Sequence, residues 1–276
     1  MIYYAPAKIN LSLDVIKKRD DGYHELKMIM QTVSLYDEID IRKDEKISLD
    51  SNKKNIPLDQ KNLAWKAADL FFKYTKISGG CKIYIKKIIP DGAGLGGGSS
   101  DAAQVLIALN EIYGTNLTDE ELQSIGLQIG ADVPFFILKG TCLAEGIGEK
   151  LTVIENNTHP YVLIYKPEFS ISTKWVYENL NIENKNCFDI NIIKDSLIND
   201  DRKKLCGNMY NALEKVVAEK YSEIKTIKSK LINLGSQASL MTGSGSAVFG
   251  LFYDENRAKH AYKSMSDKQV FLVNFI

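Results

Sequence analysis

From Ile9 to Val15 apolar and polar residues alternate: Ile9, Leu11, Leu13 and Val15 share one parity, Asn10, Ser12 and Asp14 the other. A period of two predicts a half-buried strand. RDDG at 19–22 supplies turn chemistry. A second β-rich stretch runs from about Lys27 to Arg42, and the charged segment 42–60, with Pro57, reads as strand plus loop. The period then turns helical over 60–75, where Leu63, Ala67, Leu70, Phe71 and Tyr74 share a face. Lys82 to Ile89 alternates again and is β-branched, which predicts a strand ending at Pro90.

GAGLGGGSSDAA follows at 92–103. Ala102, Val105, Leu106, Leu109 and Tyr113 then form a helical stripe, with Gly114 as its C-terminal cap. Thr118 and Glu121 have capping-box spacing for a further helix, which Gly130 ends. VPFFIL at 133–138 reads as a short buried strand. The polar stretch TVIENNTHP marks a seam near 150–160, and YVLIY beyond it is a strand. A helix-rich middle precedes a long helix over about 208–234, carrying Leu213, Val216, Val217, Ile224 and Leu231. Two strands should flank the glycines and serines at 243–246, followed by a helix near 254–265 and the strand QVFLVNF. Strands and helices mix without regular βαβ alternation, which predicts an α+β fold in two halves, not a doubly wound sheet.

Composition narrows the function classes. The chain has 276 residues, 45% hydrophobic and 25% charged, enough for one large or two modest domains with ordinary cores. Lysine plus arginine and aspartate plus glutamate number 35 each, so the net charge is +0 and a nucleic-acid partner is not expected. Cys81, Cys142, Cys187 and Cys206 form no C-x-x-C pair, and the histidines are scattered at 24, 159 and 260. Free thiols are therefore expected, not a zinc site. The N-terminal residues lack signal-peptide character and no apolar run has the length of a membrane helix, so a soluble, cytoplasmic protein is expected.

The glycine-rich stretch holds the first candidate chemistry. It lacks the lysine of the phosphate loop G-x-x-x-x-G-K-[S/T]. It nevertheless joins a predicted strand to a predicted helix, whose end offers unpaired N–H groups and a positive dipole end. A tight turn with a serine cap needs one or two glycines, whereas five stand between 92 and 98. That excess points to backbone amides turned toward a phosphate. MTGSGSAVFG at 241–250 fits a hairpin turn as well as a second site. Taken singly, Lys8 reads as a lysine snorkelling from a half-buried strand. Asp132, between Gly130 and Pro134, reads as a capping or turn residue. Tyr23 and His24 are either plain surface residues or a pair that stacks on a base.

Together, PAKINLSLDV at 6–15, PDGAGLGGGSSDAA at 90–103 and MTGSGSAVFGLF at 241–252 resemble the three ordered motifs of the GHMP kinases. DGYHEL at 21–26, MQTVSLYDEI at 30–39, NLAWKAADL at 62–70 and GADVPFFILKGTCLAEGIGE at 130–149 resemble a member whose substrate is a cytidine-diphosphate conjugate. The likeness spans the chain, although 180–207 matches little. It implies an N-terminal ATP-binding α+β domain with a left-handed βαβ unit, taken as 1–153. A ferredoxin-like C-terminal domain would occupy 154–276, with the substrate cleft between the two. The implied reaction moves the γ-phosphoryl of ATP, accompanied by Mg2+, to a tertiary hydroxyl on a methylerythritol moiety, in non-mevalonate isoprenoid synthesis.

The resemblance also implies roles. Lys8 and Asp132 match the catalytic pair. Pro90, Asp91, Gly92, Ala93, Gly94 and Leu95, with Gly96, Gly97, Gly98, Ser99 and Ser100, would wrap the ATP phosphates. Asn62, Leu63 and Lys87 match positions around the adenosine. Asn10 would contact the substrate near its reacting end. Tyr23 and His24 match the cytosine-recognition segment, and Tyr177 would close the base's other face. Thr242, Gly243, Ser244 and Gly245 would hold the substrate diphosphate. No protein metal ligand is assigned. Asp91 and Ala93 depart from the usual residues, and Asp91 is expected to face solvent because a carboxylate turned inward would repel phosphate. The partner is a small molecule, without membrane or nucleic acid, and the protein is a monomer or weak homodimer. The alternatives are a homoserine or mevalonate type of GHMP kinase, or a catalytically silent nucleotide- or RNA-binding protein.

Overall fold

A computed structural model describes residues 1–182, 188–265 and 269–276; Cys187 lies outside them. In chain order the first elements are β1 (Ile2–Lys18), β2 (His24–Asp44), β3 (Ser48–Ser51), α1 (Leu63–Thr75), β4 (Gly80–Lys86), α2 (Gly97–Tyr113), α3 (Asp119–Leu127) and α4 (Val133–Leu138). Then come β5 (Thr141–Gly146), β6 (Lys150–Val153), β7 (Tyr161–Lys166), α5 (Thr173–Glu178), α6 (Ile190–Ile198) and α7 (Arg202–Asn208). The last are β8 (Tyr210–Asn211), α8 (Glu214–Lys220), α9 (Glu223–Asn233), β9 (Ala238–Met241), β10 (Val248–Phe252), α10 (Glu255–Ser264) and β11 (Gln269–Asn274). The α+β class is as expected.

The residues form two compact units that interleave along the chain. The first comprises Met1–Ala7, Leu35–Pro90 and Gly96–Lys139; the second comprises Lys8–Ser34, Asp91–Leu95 and Gly140–Ile276.

In the first unit, β2 pairs antiparallel with β4 from Glu38↔Lys86 to Asp44↔Gly80, and β3 pairs parallel with β4. Helices α1, α2, α3 and α4 pack on one another. Asn62 caps α1 by accepting from the Ala64 amide, and Thr118 with Glu121 completes the expected capping box of α3. Gly114 takes the left-handed conformation that closes α2.

In the second unit, β2 pairs with β5 from Leu26↔Gly146 to Gln31↔Thr141, β5 with β6, and β1 with β8 in parallel. A separate antiparallel sheet has the order β11-β7-β10-β9. Helices lie in sequence between β7 and β9 and between β10 and β11, which is the ferredoxin-like arrangement.

Three expectations are corrected. VPFFIL is the helix α4, with Pro134 in its first turn. A short, wholly apolar run carries no period, and proline at a helix start costs no hydrogen bond. The long helix over 208–234 is interrupted: β8 pairs with β1, and α8 stops at Tyr221 before α9 begins. Lastly, β1 is not half-buried. Asn10 and Ser12 are as inaccessible as Ile9 and Leu11, and Lys8 is only 5% exposed. Alternation did mark a strand there, but the polar parity faces hydrogen-bonding partners and not water.

Candidate functional site

In the first unit the chain leaves β4 through Lys87, Ile88 and Ile89 and returns as α2. The N-cap is Gly96, with φ 73° and no side-chain cap, so the alternative of a tight turn with a serine cap does not describe this end. Ser99 and Ser100 lie within the first turn. The Ser100 hydroxyl is buried without a hydrogen-bond partner. Gly97 and Gly98 leave room for neighbours: a Cβ at Gly97 would come 3.2 Å from Lys87 Nζ, and one at Gly98 3.6 Å from a Leu63 methyl. The structure thus gathers Leu63, Lys87 and the start of α2, with Asn62 capping the helix that carries Leu63.

Lys87 itself is tied down. Its ammonium donates to Asp37 Oδ2 and, at 2.8 Å, to Asp101 Oδ2. Asp37 Oδ1 accepts the amides of Ile88 and Ile89. All three side chains are at least nine-tenths buried, and Asp101 Oδ1 has no partner. Burial pushes the Asp101 carboxyl well above the ordinary carboxylate range; Lys87 pulls it down and Asp37 raises it again. Lys87 is held above its usual value by the two carboxylates, against the effect of its own burial. The sequence reading missed Asp37 and the ionic role of Asp101. The signal for Asp37 was its parity: in Leu35, Asp37, Ile39 and Ile41 every side chain points inward, and one of the four is charged.

Asp132 occupies the N-cap position of α4, half-buried, with backbone in the right-handed helical region and no capping hydrogen bond from its side chain. Of the local reading as a capping or turn residue, the turn holds, closed by Val133 N donating to Gly130 O at 3.1 Å, while the side chain does not cap.

In the second unit Asp91–Leu95 is stitched in by its backbone. Lys8 N donates to Leu95 O at 3.0 Å, and Ala247 N to Ala93 O at 3.1 Å. A Cβ at Gly94 would lie 2.2 Å from Thr242 O, so only glycine fits. Asp91 is exposed, as expected. Lys8 Nζ donates to Asn10 Oδ1 at 2.7 Å, and Asn10 N to Thr242 Oγ1 at 3.1 Å. A Cβ at Gly243 would lie 3.4 Å from Lys8 Nζ. Lys8, Asn10, Thr242, Gly243 and the Gly94 stretch therefore form one cluster.

The turn 242–245 closes with Gly245 N donating to Thr242 O at 2.9 Å. Ser244 Oγ shares a 2.8 Å hydrogen bond with Thr173 Oγ1. Thr173 opens α5, and one turn later Tyr177 stacks on His24, with ring centroids 4.9 Å apart and 26° between planes. Burial, then repulsion from Lys18, lowers the His24 pKa and favours the neutral imidazole. His24, Tyr177, Tyr23, Leu26 and Ile147 border a cavity of about 500 Å³. Tyr23 stays 61% exposed and is not part of the stack. Thr173 was missed, because nothing local distinguishes it from any threonine at a helix start.

The GHMP kinases N terminal domain family matches residues 62–140, and the GHMP kinases C terminal family matches 193–270. The chain is 48% identical over its whole length to a Clostridium botulinum (strain Kyoto / Type A2) 4-diphosphocytidyl-2-C-methyl-D-erythritol kinase, all of which is covered. A crystal structure of 4-(cytidine 5'-diphospho)-2C-methyl-D-erythritol kinase superposes with TM-score 0.85 at 33% identity, covering 100% of this chain and 99% of that one. A homoserine kinase from Cytophaga hutchinsonii shares the fold, at TM-score 0.79 and 17% identity, with 99% and 95% covered.

Proposed function

The chain belongs to the GHMP kinases, among the 4-diphosphocytidyl-2-C-methyl-D-erythritol kinases, and on that premise we propose how its residues move the γ-phosphoryl of ATP to the tertiary 2-hydroxyl of the cytidine conjugate. One observation carries the choice of substrate. Helix α5 holds a hydroxyl bonded to the 242–245 turn at its start and an aromatic ring stacked on His24 one turn later. A surface that stacks a base and a turn rich in amides stand on one short element, as a nucleoside diphosphate requires.

Phosphoryl transfer asks for positioning and charge compensation more than for covalent help. Residues 90–100 hold the ATP phosphates through backbone amides and the start of α2, where the dipole favours an anion. Asn62, Leu63 and Lys87 line the adenosine side; Lys87 does so from within its ion pairs. His24 and Tyr177 bracket the cytosine, beside Tyr23; their rings, 4.9 Å apart in this structure, part to admit the base between them. Thr242, Gly243, Ser244 and Gly245 take the diphosphate, and Asn10 faces the reacting end. Asp132 accepts or orients the hydroxyl proton, and Lys8 compensates charge on the transferring group.

Mg2+ accompanies the nucleotide. Among the described residues no group of three His, Cys, Asp or Glu could hold a metal. The unpartnered Ser100 hydroxyl fits a supporting contact to an ion carried largely by phosphates and water. The ion would neutralise phosphate charge. The test is a coupled assay: the cytidine-diphosphate conjugate should support ATP turnover, while mevalonate and homoserine should not. Equal turnover with homoserine would overturn the assignment.

A further inference from the structure

Glycines in an anion-binding turn raise a problem of their own. A glycine that lets a peptide present its N–H to a phosphate lets it present its carbonyl just as easily, and a carbonyl oxygen repels the anion. Gly243, with φ 56°, gives the Gly243–Ser244 peptide that freedom. Some group must choose the orientation.

That group is on β8. Asn211, 4% exposed, donates from Nδ2 to Met241 O at 2.7 Å and to Gly243 O at 2.9 Å, and its Oδ1 accepts Leu213 N at 2.9 Å. Both of its donors are thereby used and its oxygen accepts a backbone amide, which fixes the carboxamide without ambiguity of flip. In a trans peptide the carbonyl and the following N–H point in opposite directions. With Gly243 O drawn inward to Asn211, the Ser244 N–H must point away from it. The Met241 carbonyl obeys the same rule: the following amide, Thr242 N, points across to Ala247 O at 3.0 Å. Glu214, in the first turn of α8, braces the strand that leads into the turn by accepting Met241 N at 2.8 Å, and is itself paired with Lys228.

We propose that Asn211 is a positioning residue for the substrate diphosphate: by holding the Gly243 carbonyl inward it keeps the Ser244 amide turned toward the anion. This rests on the reading of 242–245 as the diphosphate turn. A neutral carboxamide suits the task, since a carboxylate there would expel both carbonyls and a lysine would compete for the phosphate.

Calorimetric binding of CDP and of cytidine to the full chain separates this role from a general structural one. The wild type should bind CDP more tightly than cytidine. In Asn211→Leu that preference should shrink by about tenfold, with cytidine affinity within about twofold of the wild type. Asn211→Ser keeps one donor and should lose less; it carries the same test if Asn211→Leu does not fold. Glu214→Gln, which leaves the Gly243 carbonyl in place, should retain the preference. Equal losses for CDP and cytidine, or a preference untouched in both Asn211 variants, would sink the role of Asn211. A wild type that binds CDP no better than cytidine would instead overturn the diphosphate reading of the turn.

Discussion

In the first unit Gly97, which opens α2, lies against an ammonium shared by two buried carboxylates; in the second, Gly243 lies near the Lys8 ammonium, which donates to the neutral Asn10 carboxamide, and its carbonyl is held by the Asn211 carboxamide. The first arrangement is costly to desolvate and worse to break, because removing the cation strands the buried carboxyl groups it pairs. In the second, the hydrogen bonds of Asn211 act through direction, deciding which end of each peptide faces outward. The contrast explains why a lysine beside a glycine loop need not be a phosphate ligand. Lys87 stands close to Gly97, yet its charge is spent on Asp37 and Asp101. An anion at α2 is left with amides and the helix dipole, each worth less than a full charge.

The largest expected effect belongs to neither loop. Asp132→Asn should lower kcat by about 10²–10⁴, while ATP affinity measured by titration stays within about tenfold. A variant at full rate would remove Asp132 from the chemistry.

Next comes the charged side of the contrast. Lys87→Met should destabilise the protein by about 3–5 kcal/mol in chemical denaturation, as expected for an ion cluster losing its one cation. A loss below about 1 kcal/mol would mean that the cluster behaves like a surface pair and that the contrast between the loops is false.

His24→Ala tests the base end of the second unit. Loss of one stacking face should cost about 1–3 kcal/mol, read as a rise in KM for the cytidine substrate far greater than any rise for ATP. A selective ATP defect would move His24 out of that site.

The smallest effect is a pH dependence. The folded pKa of Asp101 lies above its unfolded value, chiefly through burial. The folded state therefore holds more protons than the unfolded state between those two values, and stability falls as pH rises through that window. Asp101→Asn removes the dependence. Its Tm relative to wild type should increase as pH is raised from about 4, the ordinary aspartate value, toward neutrality. A difference that stays flat or shrinks would show that Asp101 is ionised like a surface carboxylate.

Much of this was legible one segment at a time. The capping box at Thr118, the left-handed cap at Gly114 and the strands around 243–246 follow from interactions that span a few residues. The failures share a cause. VPFFIL has no period to read, and the segment at 208–234 is helical on either side of residues that tertiary contacts pull out of line. Asn211 is one of them, its side chain engaged with the turn at 241–243 while its backbone pairs with β1.

By itself the sequence determined the local elements, the positions where only glycine serves, and, through the order of its motifs, the family. Only the tertiary structure decided who meets whom: Lys87 with Asp37 across 50 residues, Asn10 with Thr242 across 232, Asn211 with Gly243 across 32. The physical reason is range. Propensity, period and capping act over one or two turns of chain, whereas a buried polar group must find its partner wherever the packed chain brings a complementary atom within about 3 Å.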